Sequence, residues 1–435
     1  MSARDLAFDV VRDVFGPEQR GARAAFDVRS RKAGLDARER AFAAELAYGS
    51  IKQRRLIDWY LQPYVGEREK PLPAAIHEAL RLGVYQLRFM SGTGDHAAVS
   101  ETVNLAWRHG HKGTAGLVNA VLRRMLTDGP LEPDQAGFES ENDYAGVRYS
   151  VPTWVAAQFG RSYDGARDAA LAGVNAAPQH ALSVNTLRAD PQAVAAELAA
   201  RGIGVRPSPF VAETLLLDSG SVGDDPDGRW SIQGEAAAMP VDLLAPQPGE
   251  TVLEFCGGRG NKTLQLAART NAAGSVVTIE LDEKRLRSMR ERLERSGASN
   301  VSIVCGDARY AAQEVQADAV LLDAPCSGLG VIGRHPEARW RKTPNDGARL
   351  AVAQAELLDA AAARTAAGGR LVYSVCSSDP REGRERIDAF LADHAAFARA
   401  PLPQCYGAFA RDGDVIVPAG IEGRDGFYIA SLVRA

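Results

Sequence analysis

"VLEFCGGRGNKT", residues 252–263, is an apolar strand that enters a glycine-rich turn and then opens a helix. In an open α/β sheet that order puts a ligand-binding turn at the carboxyl end of a strand. Two nucleotide patterns fail there. A phosphate-binding loop needs GxxxxGK[ST]. Lys262 and Thr263 are present, but Cys256 and Asn261 stand where its two glycines belong. The dinucleotide pattern GxGxxG fits Gly258 and Gly260 but meets Thr263 in third place. What survives is an acidic residue followed by GxG: Glu254, Gly258 and Gly260. The glycines let the backbone approach a ligand, and Glu254 offers a carboxylate near it.

Working outward, strands and helices alternate from Val252 onward. "TVLEFC" leads to a helix from Asn261, "SVVTIE" to a helix from Asp282, and "VSIV" and "ADAVLLD" to a long helix from Gly347 and then "GRLVYSVC". This pattern predicts a doubly wound parallel sheet. The tail "DVIVPAGIEGRDGFYIASLVR" reads as two further strands around a Gly-rich turn. Glu280 ends the second strand, where a carboxylate can take both hydroxyls of a ribose. Asp307, in "VCGDAR", follows the third and could accept from an adenine amino group. Together these acids and the turn fit the S-adenosylmethionine site of Rossmann-like class I methyltransferases. The plain alternative is a tight turn with three solvated acids. The residues assigned to the cofactor are Cys256, Gly257, Gly258, Arg259, Gly260, Asn261, Lys262, Glu280, Asp307 and Asp323.

Upstream the pattern is different. Residues 4 to about 127 read as successive helices, with apolar positions three and four apart in "PAAIHEALRLGVYQLRFM" and "GTAGLVNAVLRRML". Residues 128–149 are rich in acid, Gly and Pro and read as a linker. Between 150 and 235, "HALSVNTL", "DPQAVAAELAARG" and "ETLLLD" predict strand, helix and strand, a small α/β connecting segment. The catalytic domain is expected to occupy 236–435.

The net charge of −4 hides an asymmetry. Residues 1–127 carry 20 Lys and Arg against 14 Asp and Glu, and the rest carries 31 against 41. A basic module joined to an acidic one suits a polyanionic partner, although a solvated helical surface gives the same count. Five cysteines without a CxxC pair argue against a disulfide framework and against zinc. No run approaches the ~18 apolar residues of a membrane span. The start, "MSARDLAFDVVRD", has no signal-peptide core. The expectation is a cytoplasmic protein without a bound metal.

Two of the five cysteines carry the chemistry. "LLDAPCSGLG", residues 321–330, ends the fourth strand at Asp323 and places Cys326 three residues on; "LVYSVCSSDP" ends the fifth with Cys376. Neighbouring strands lie ~4.8 Å apart, so both thiols would overhang the crevice beside the cofactor. A cysteine at a strand end is more often inert packing. A pair facing a methyl donor has a use. Carbon-5 of a pyrimidine is a poor nucleophile until a thiolate adds at carbon-6. Asp323 is placed to stabilise charge at the ring nitrogen or exocyclic amine.

"LLDAPCSGLGVIGRHPEARW" and "LVYSVCSSDPREG" resemble the fourth and sixth motifs of the Nop2/Sun family of RNA cytosine-5 methyltransferases. The helical start, "LVNAVLRR", "QGEAAAMPVDLLAPQPGE" and the terminal "DGFYIASL" extend the likeness over nearly the whole chain. It is similar in particular to members with a NusB-like helical domain that methylate small-subunit (16S) ribosomal RNA, and this chain is expected to be a monomer. The resemblance implies S-adenosylmethionine as cofactor, Cys376 as the nucleophile and Cys326 as the thiol that assists product release. The chain departs from the family's DxCAAPGGKT turn. Glu254 opens it, Arg259 replaces the proline and Asn261 one glycine, and Glu280 replaces the usual Asp. Asn tolerates left-handed angles, and Arg259 could meet the substrate backbone instead.

Two rival readings stay open. In DNA cytosine-5 methyltransferases a cysteine after proline, like Cys326, attacks. The altered turn also allows an inactive RNA-binding assembly factor. His335, in "GRHPEARW", reads either as a general base or as a loop residue that orders its segment.

Overall fold

The computed structural model describes residues 1–66, 71–92 and 94–435. The chain forms two compact units, Met1–Gln158 with His335–Lys342, and Phe159–Arg334 with Thr343–Ala435.

The first unit is helical, with seven helices between Ala3–Phe15 and Lys112–Asp128 among the described residues. Local chemistry starts them. The Ser2 hydroxyl accepts from Asp5 N while the Asp5 carboxylate accepts from Ser2 N, and Asp36 caps Ala37–Lys52 in the same sense. Leu6, Val10, Leu46, Ile57, Leu61 and Leu122 are fully buried in the shared core. Part of the stretch read as a linker is helical as well. Ser140 caps Glu141–Arg148, and Val147 is buried against the same core. Acid and Gly content hid that helix because Gly146 sits mid-helix for a steric reason: a Cβ there would lie 2.1 Å from Arg55.

Residues 335–342 belong to this unit although "GRHPEARW" is continuous with the catalytic sequence. Arg339 is fully buried and donates to the carbonyls of Ser150 at 3.2 Å and Lys52 at 3.4 Å. Trp340 Nε1 donates to the Ile51 carbonyl at 2.7 Å, and Arg341 to those of Val14 and Arg20. Burial pushes the Arg339 guanidinium down to about 9. His335 itself is exposed at the start of this excursion, and its carbonyl accepts from Ala338 N.

The second unit holds two sheets. The small one contains β1 (His180–Val184), β2 (Val205–Pro207), β3 (Thr214–Leu217) and β4 (Trp230–Ile232), all antiparallel in the order β2-β3-β1-β4. The helix Pro191–Ala200, capped by Asp190, packs Val194 and Leu198 with Leu182 and Leu215. The large sheet contains β5 (Thr251–Phe255), β6 (Ser275–Glu280), β7 (Val301–Cys305), β8 (Ala317–Asp323), β9 (Thr365–Val375), β10 (Phe397–Arg399), β11 (Ala410–Arg411), β12 (Asp414–Val417) and β13 (Phe427–Arg434). Its order is β11-β12-β13-β9-β8-β5-β6-β7, with β10 beside β13. The strands from β7 to β9 run parallel, whereas β13 pairs antiparallel with β9 and β12 with β13. The parallel sheet expected from sequence is therefore mixed. The link from β12 to β13 is too short for a crossover helix, so those two strands pair antiparallel.

Whereas β7 lies at the edge with no buried residue, the inner strands β5, β6, β8 and β9 carry buried side chains on both faces, with Leu253, Phe255, Val320 and Leu322 on one and Val252, Val276, Leu321 and Val372 on the other. Each such side chain contributes about 1.5–3 kcal/mol by leaving water. From β5 the chain builds β6 and β7 on one side and then β8 on the other, so the switch point falls between β5 and β8. Ligands of such sheets bind outside the carboxyl ends at that point. No helix among the described residues is long and apolar enough to cross a membrane.

Candidate active site

The turn after β5 closes in spite of its substitutions. Cys256, Gly258 and Gly260 adopt positive φ of 60°, 62° and 81°. Gly257 is the tight position: a Cβ would lie 2.1 Å from Thr278 Oγ1 and 3.0 Å from Glu254 Oε2. Above Gly258 the space is open, with only the Cys256 carbonyl within 4 Å of a Cβ. The turn leads to the N-terminus of the helix Asn261–Thr270, where unpaired N–H groups favour negative charge. Asn261 Oδ1 is buried there without a hydrogen-bond partner. An open glycine cradle and an orphaned acceptor fit a ligand with amine and hydroxyl donors. Arg259 is exposed on the rim.

The acids are placed differently from one another. Glu280 ends β6 with Oε2 accepting from Gly258 N at 2.8 Å and Oε1 from Asp282 N at 2.9 Å. Each oxygen keeps a lone pair for a further donor. Asp307 is bound by its neighbour Arg309, which holds the carboxyl below its ordinary range. Glu254 is not offered to a ligand as the sequence suggested. It is buried opposite Thr278 in the β5–β6 register, and its Oε2 accepts from Thr263 at 2.5 Å and Thr278 at 2.7 Å. Burial pushes it up to about 7. Cys256 is pushed up to about 12 by burial and the surrounding acids, so its thiol stays neutral.

Lys262 links the turn to the switch point. Its ammonium donates to Asp323 Oδ2 at 2.7 Å, and the Ser374 hydroxyl donates to Asp323 Oδ1 at 2.7 Å. Burial opposes the Lys262 charge, but Asp323 outweighs it and holds the ammonium above its ordinary value; Cys376 adds to the same effect. Asp323 and Ser374 are cross-strand partners in the β8–β9 register.

Beyond that register the two cysteines converge. Cys326 Sγ and Cys376 Sγ are 3.4 Å apart, both half-buried. Contact with Cys376, then burial, raises Cys326 well above an ordinary thiol. Two thiols at this distance do not ionise together. Sequence reading missed the residues that support the pair: Ser327, Gln354, Ser377 and Glu382. The only trace was a serine after each cysteine, in "CSG" and "CSS".

A glycine turn at the switch point, an acid on the next strand and a thiol pair two strands across are the layout of an S-adenosylmethionine-dependent methyltransferase. Comparison with known proteins narrows that class. The model of the 16S rRNA methyltransferase RsmB/F family matches residues 241–433, that of the NusB family residues 1–127, and that of the RsmF/B-like ferredoxin-like domain residues 151–222. The chain belongs to the RsmB/F family of 16S rRNA methyltransferases. Ribosomal RNA small subunit methyltransferase B of Thermus thermophilus is 35% identical over 442 residues, covering 99% of this chain and 97% of that protein. The Vibrio cholerae protein of the same name is 35% identical over 409 residues, with 91% and 90% covered. The solved structure of PH0851 superimposes over 99% of both chains with a TM-score of 0.80 at 26% identity.

Proposed function

We propose that this chain methylates carbon-5 of a cytosine in small-subunit 16S ribosomal RNA, through a bond between Cys376 and carbon-6 of the base. The observation that carries this reading is the 3.4 Å approach of two thiols at the ends of adjacent parallel strands. Bound S-adenosylmethionine supplies an electrophilic methyl group. Gly257, Gly258 and Gly260 let the backbone approach it, Glu280 takes its ribose, and Asn261 and Asp307 accept from its amino groups. Cys256 lines the turn as a neutral thiol, Arg259 faces outward towards the RNA backbone, and Lys262 stays bound to Asp323.

The two thiols divide the work. As the family resemblance implies, Cys376 adds to carbon-6 as thiolate, with Lys262 supplying positive charge nearby. Addition makes carbon-5 enamine-like, and Asp323 stabilises charge at the base edge. Alkylation of Cys376 then removes the largest influence that kept Cys326 protonated. Cys326 can then lose its proton to water, and its thiolate takes the carbon-5 proton while the Cys376–carbon-6 bond breaks, the 5,6 double bond reforms and Cys376 leaves as thiolate. The domains divide at 1–127 for RNA binding, with 128–149 as connection, 150–235 as bridge and 236–435 for catalysis. The protein works as a monomer in the cytoplasm, where its ribosomal substrate is made.

A denaturing gel with labelled RNA and S-adenosylmethionine tests the assignment. Cys376→Ala is expected to abolish methylation and adduct together. Cys326→Ala is expected to attack, methylate and stall as an RNA adduct. The reverse pattern would sink the assignment and favour the arrangement in which Cys326 attacks. Cysteines that only pack would lower stability and all activities in parallel.

A further inference from the structure

Glu382 is fully buried, six residues beyond Cys376 and just ahead of the helix Arg384–Asp393. The steps above make no use of it. Its Oε1 accepts from the backbone N of Ser327 at 2.8 Å and from Gln354 Nε2 at 3.1 Å. Its Oε2 accepts from the hydroxyls of Ser327 and Ser377, which lie 2.9 Å from each other. Ser327 follows Cys326 and Ser377 follows Cys376. Gln354 also donates to the Pro325 carbonyl at 2.9 Å, so Cys326 is pinned on both sides. The backbone of Glu382 is fixed in turn: Tyr373 donates to its carbonyl, and its N–H donates to the Asp379 carbonyl at 3.0 Å.

One carboxylate therefore bonds to the residue after each thiol. Hydrogen bonds to an ionised acceptor are shorter and about twice as strong as neutral ones. Four donors saturate both oxygens, so the carboxylate cannot favour one cysteine turn without releasing the other. We propose that Glu382 is the positioning residue that sets the separation of the two thiols for the reaction, by anchoring both cysteine turns to a single carboxylate. The proposal rests on the two-thiol reading of the site. Its energetic basis is alignment: a misplacement near 1 Å at reacting atoms costs on the order of 100-fold in rate.

Glu382→Gln keeps the size and tests the charge. An amide can accept on its oxygen and donate to the serine hydroxyls, but every bond is then between neutral groups and weaker, so both turns are held more loosely. Phenylarsine oxide reads the thiol spacing without any turnover, because trivalent arsenic bridges two adjacent thiols with loss of water. The parent is expected to bind one equivalent tightly and to need both Cys326 and Cys376. Glu382→Gln is expected to bind it at least about 10-fold more weakly and to lose about 100-fold in single-turnover methylation, with S-adenosylmethionine affinity within twofold of the parent. Ser377→Ala removes one donor and leaves the charge buried; it should move both readouts in the same direction by several-fold. Parental arsenical affinity in Glu382→Gln overturns the proposal, as does a matching loss of S-adenosylmethionine affinity in both variants, which marks general disruption. Weaker arsenical binding with undiminished methylation would overturn the two-thiol mechanism instead, leaving the anchor without a reaction to serve.

Discussion

The sheet edge and the basic helical unit hold their charged and reactive groups by different means. At the edge, strand register sets the positions: Asp323 faces Ser374, Glu254 faces Thr278, and the cysteines follow where β8 and β9 stop. In the helical unit, long-range ion pairs decide. "KQRR" at 52–55 is a basic run within the helical unit, and there Arg54 is bidentate to Glu78 and lies over the Phe15 ring. Arg55 bonds Asp143 at 2.6 Å and the Val151 carbonyl at 2.7 Å. Lys52 is pushed down to about 8 by burial and by nearby Arg339. Those cations build the unit. Arg123 and Arg124 remain exposed, with Arg124 no closer than 3.5 Å to Asp128. Register with a neighbouring strand fixes the groups at the sheet edge, whereas pairing between distant helices fixes those of the helical unit.

The sharpest way to break that contrast is at the turn, where geometry leaves no slack. Gly257→Ala puts a methyl group 2.1 Å from Thr278 Oγ1, with Met289 at 2.9 Å on another side. The turn has to shift, and S-adenosylmethionine affinity is expected to fall by over about 100-fold, roughly 3 kcal/mol. Gly258→Ala meets open space and pays only left-handed strain, about 1–2 kcal/mol. Calorimetric titration of both variants checks this. Equal affinities would mean that the ligand is not gripped through this turn.

Glu254 offers a pH test of the same region. Its folded value of about 7 lies above the ordinary 4.5 because burial disfavours the charge. A group raised on folding contributes stability that is complete below about pH 4.5 and is lost as pH rises through about 7. A shift of this size corresponds to about 3 kcal/mol at most. Glu254→Gln can still accept from Thr263 and Thr278 but does not titrate. Urea unfolding at pH 5 and pH 8 should show the parent losing stability relative to the variant by about 2–3 kcal/mol between the two. A constant difference across pH would mean that Glu254 is charged in the folded protein throughout.

These cases also separate what was legible in the sequence from what was not. The alternation of strands and helices and the two cysteines at carboxyl ends follow from local pattern and topology. Nothing local marked Glu382, because its donors come from residues 327, 354 and 377. Nothing in "GRHPEARW" signalled that Arg339 and Trp340 would lie among the helices, since their acceptors are backbone carbonyls, which sequence does not display. Glu254 was misread for a related reason: an acid near a glycine turn suggests a ligand, but Thr263 and Thr278 were already there to receive it.

The smallest expected effect bears most directly on the RNA. Exposed cations that meet phosphate release counterions, so each contact contributes about one unit to the slope of log affinity against log salt. Arg123→Ala and Arg124→Ala should each lower that slope by about 1 and leave stability within about 0.5 kcal/mol of the parent, as for other exposed positions. Arg55→Ala should do the opposite. It removes the ion pair to Asp143, which keeps only the Thr153 hydroxyl, and takes a donor from the Val151 carbonyl, costing about 1–3 kcal/mol of stability with the salt slope unchanged. Fluorescence anisotropy with a ribosomal RNA fragment between 50 and 200 mM salt, roughly the range over which phosphate contacts weaken, measures the slopes, and thermal unfolding measures the rest. A reduced slope in Arg55→Ala, with Arg123→Ala and Arg124→Ala unchanged, would place the RNA on the face that now looks structural. The distinction drawn between the two sets of arginines would then be reversed.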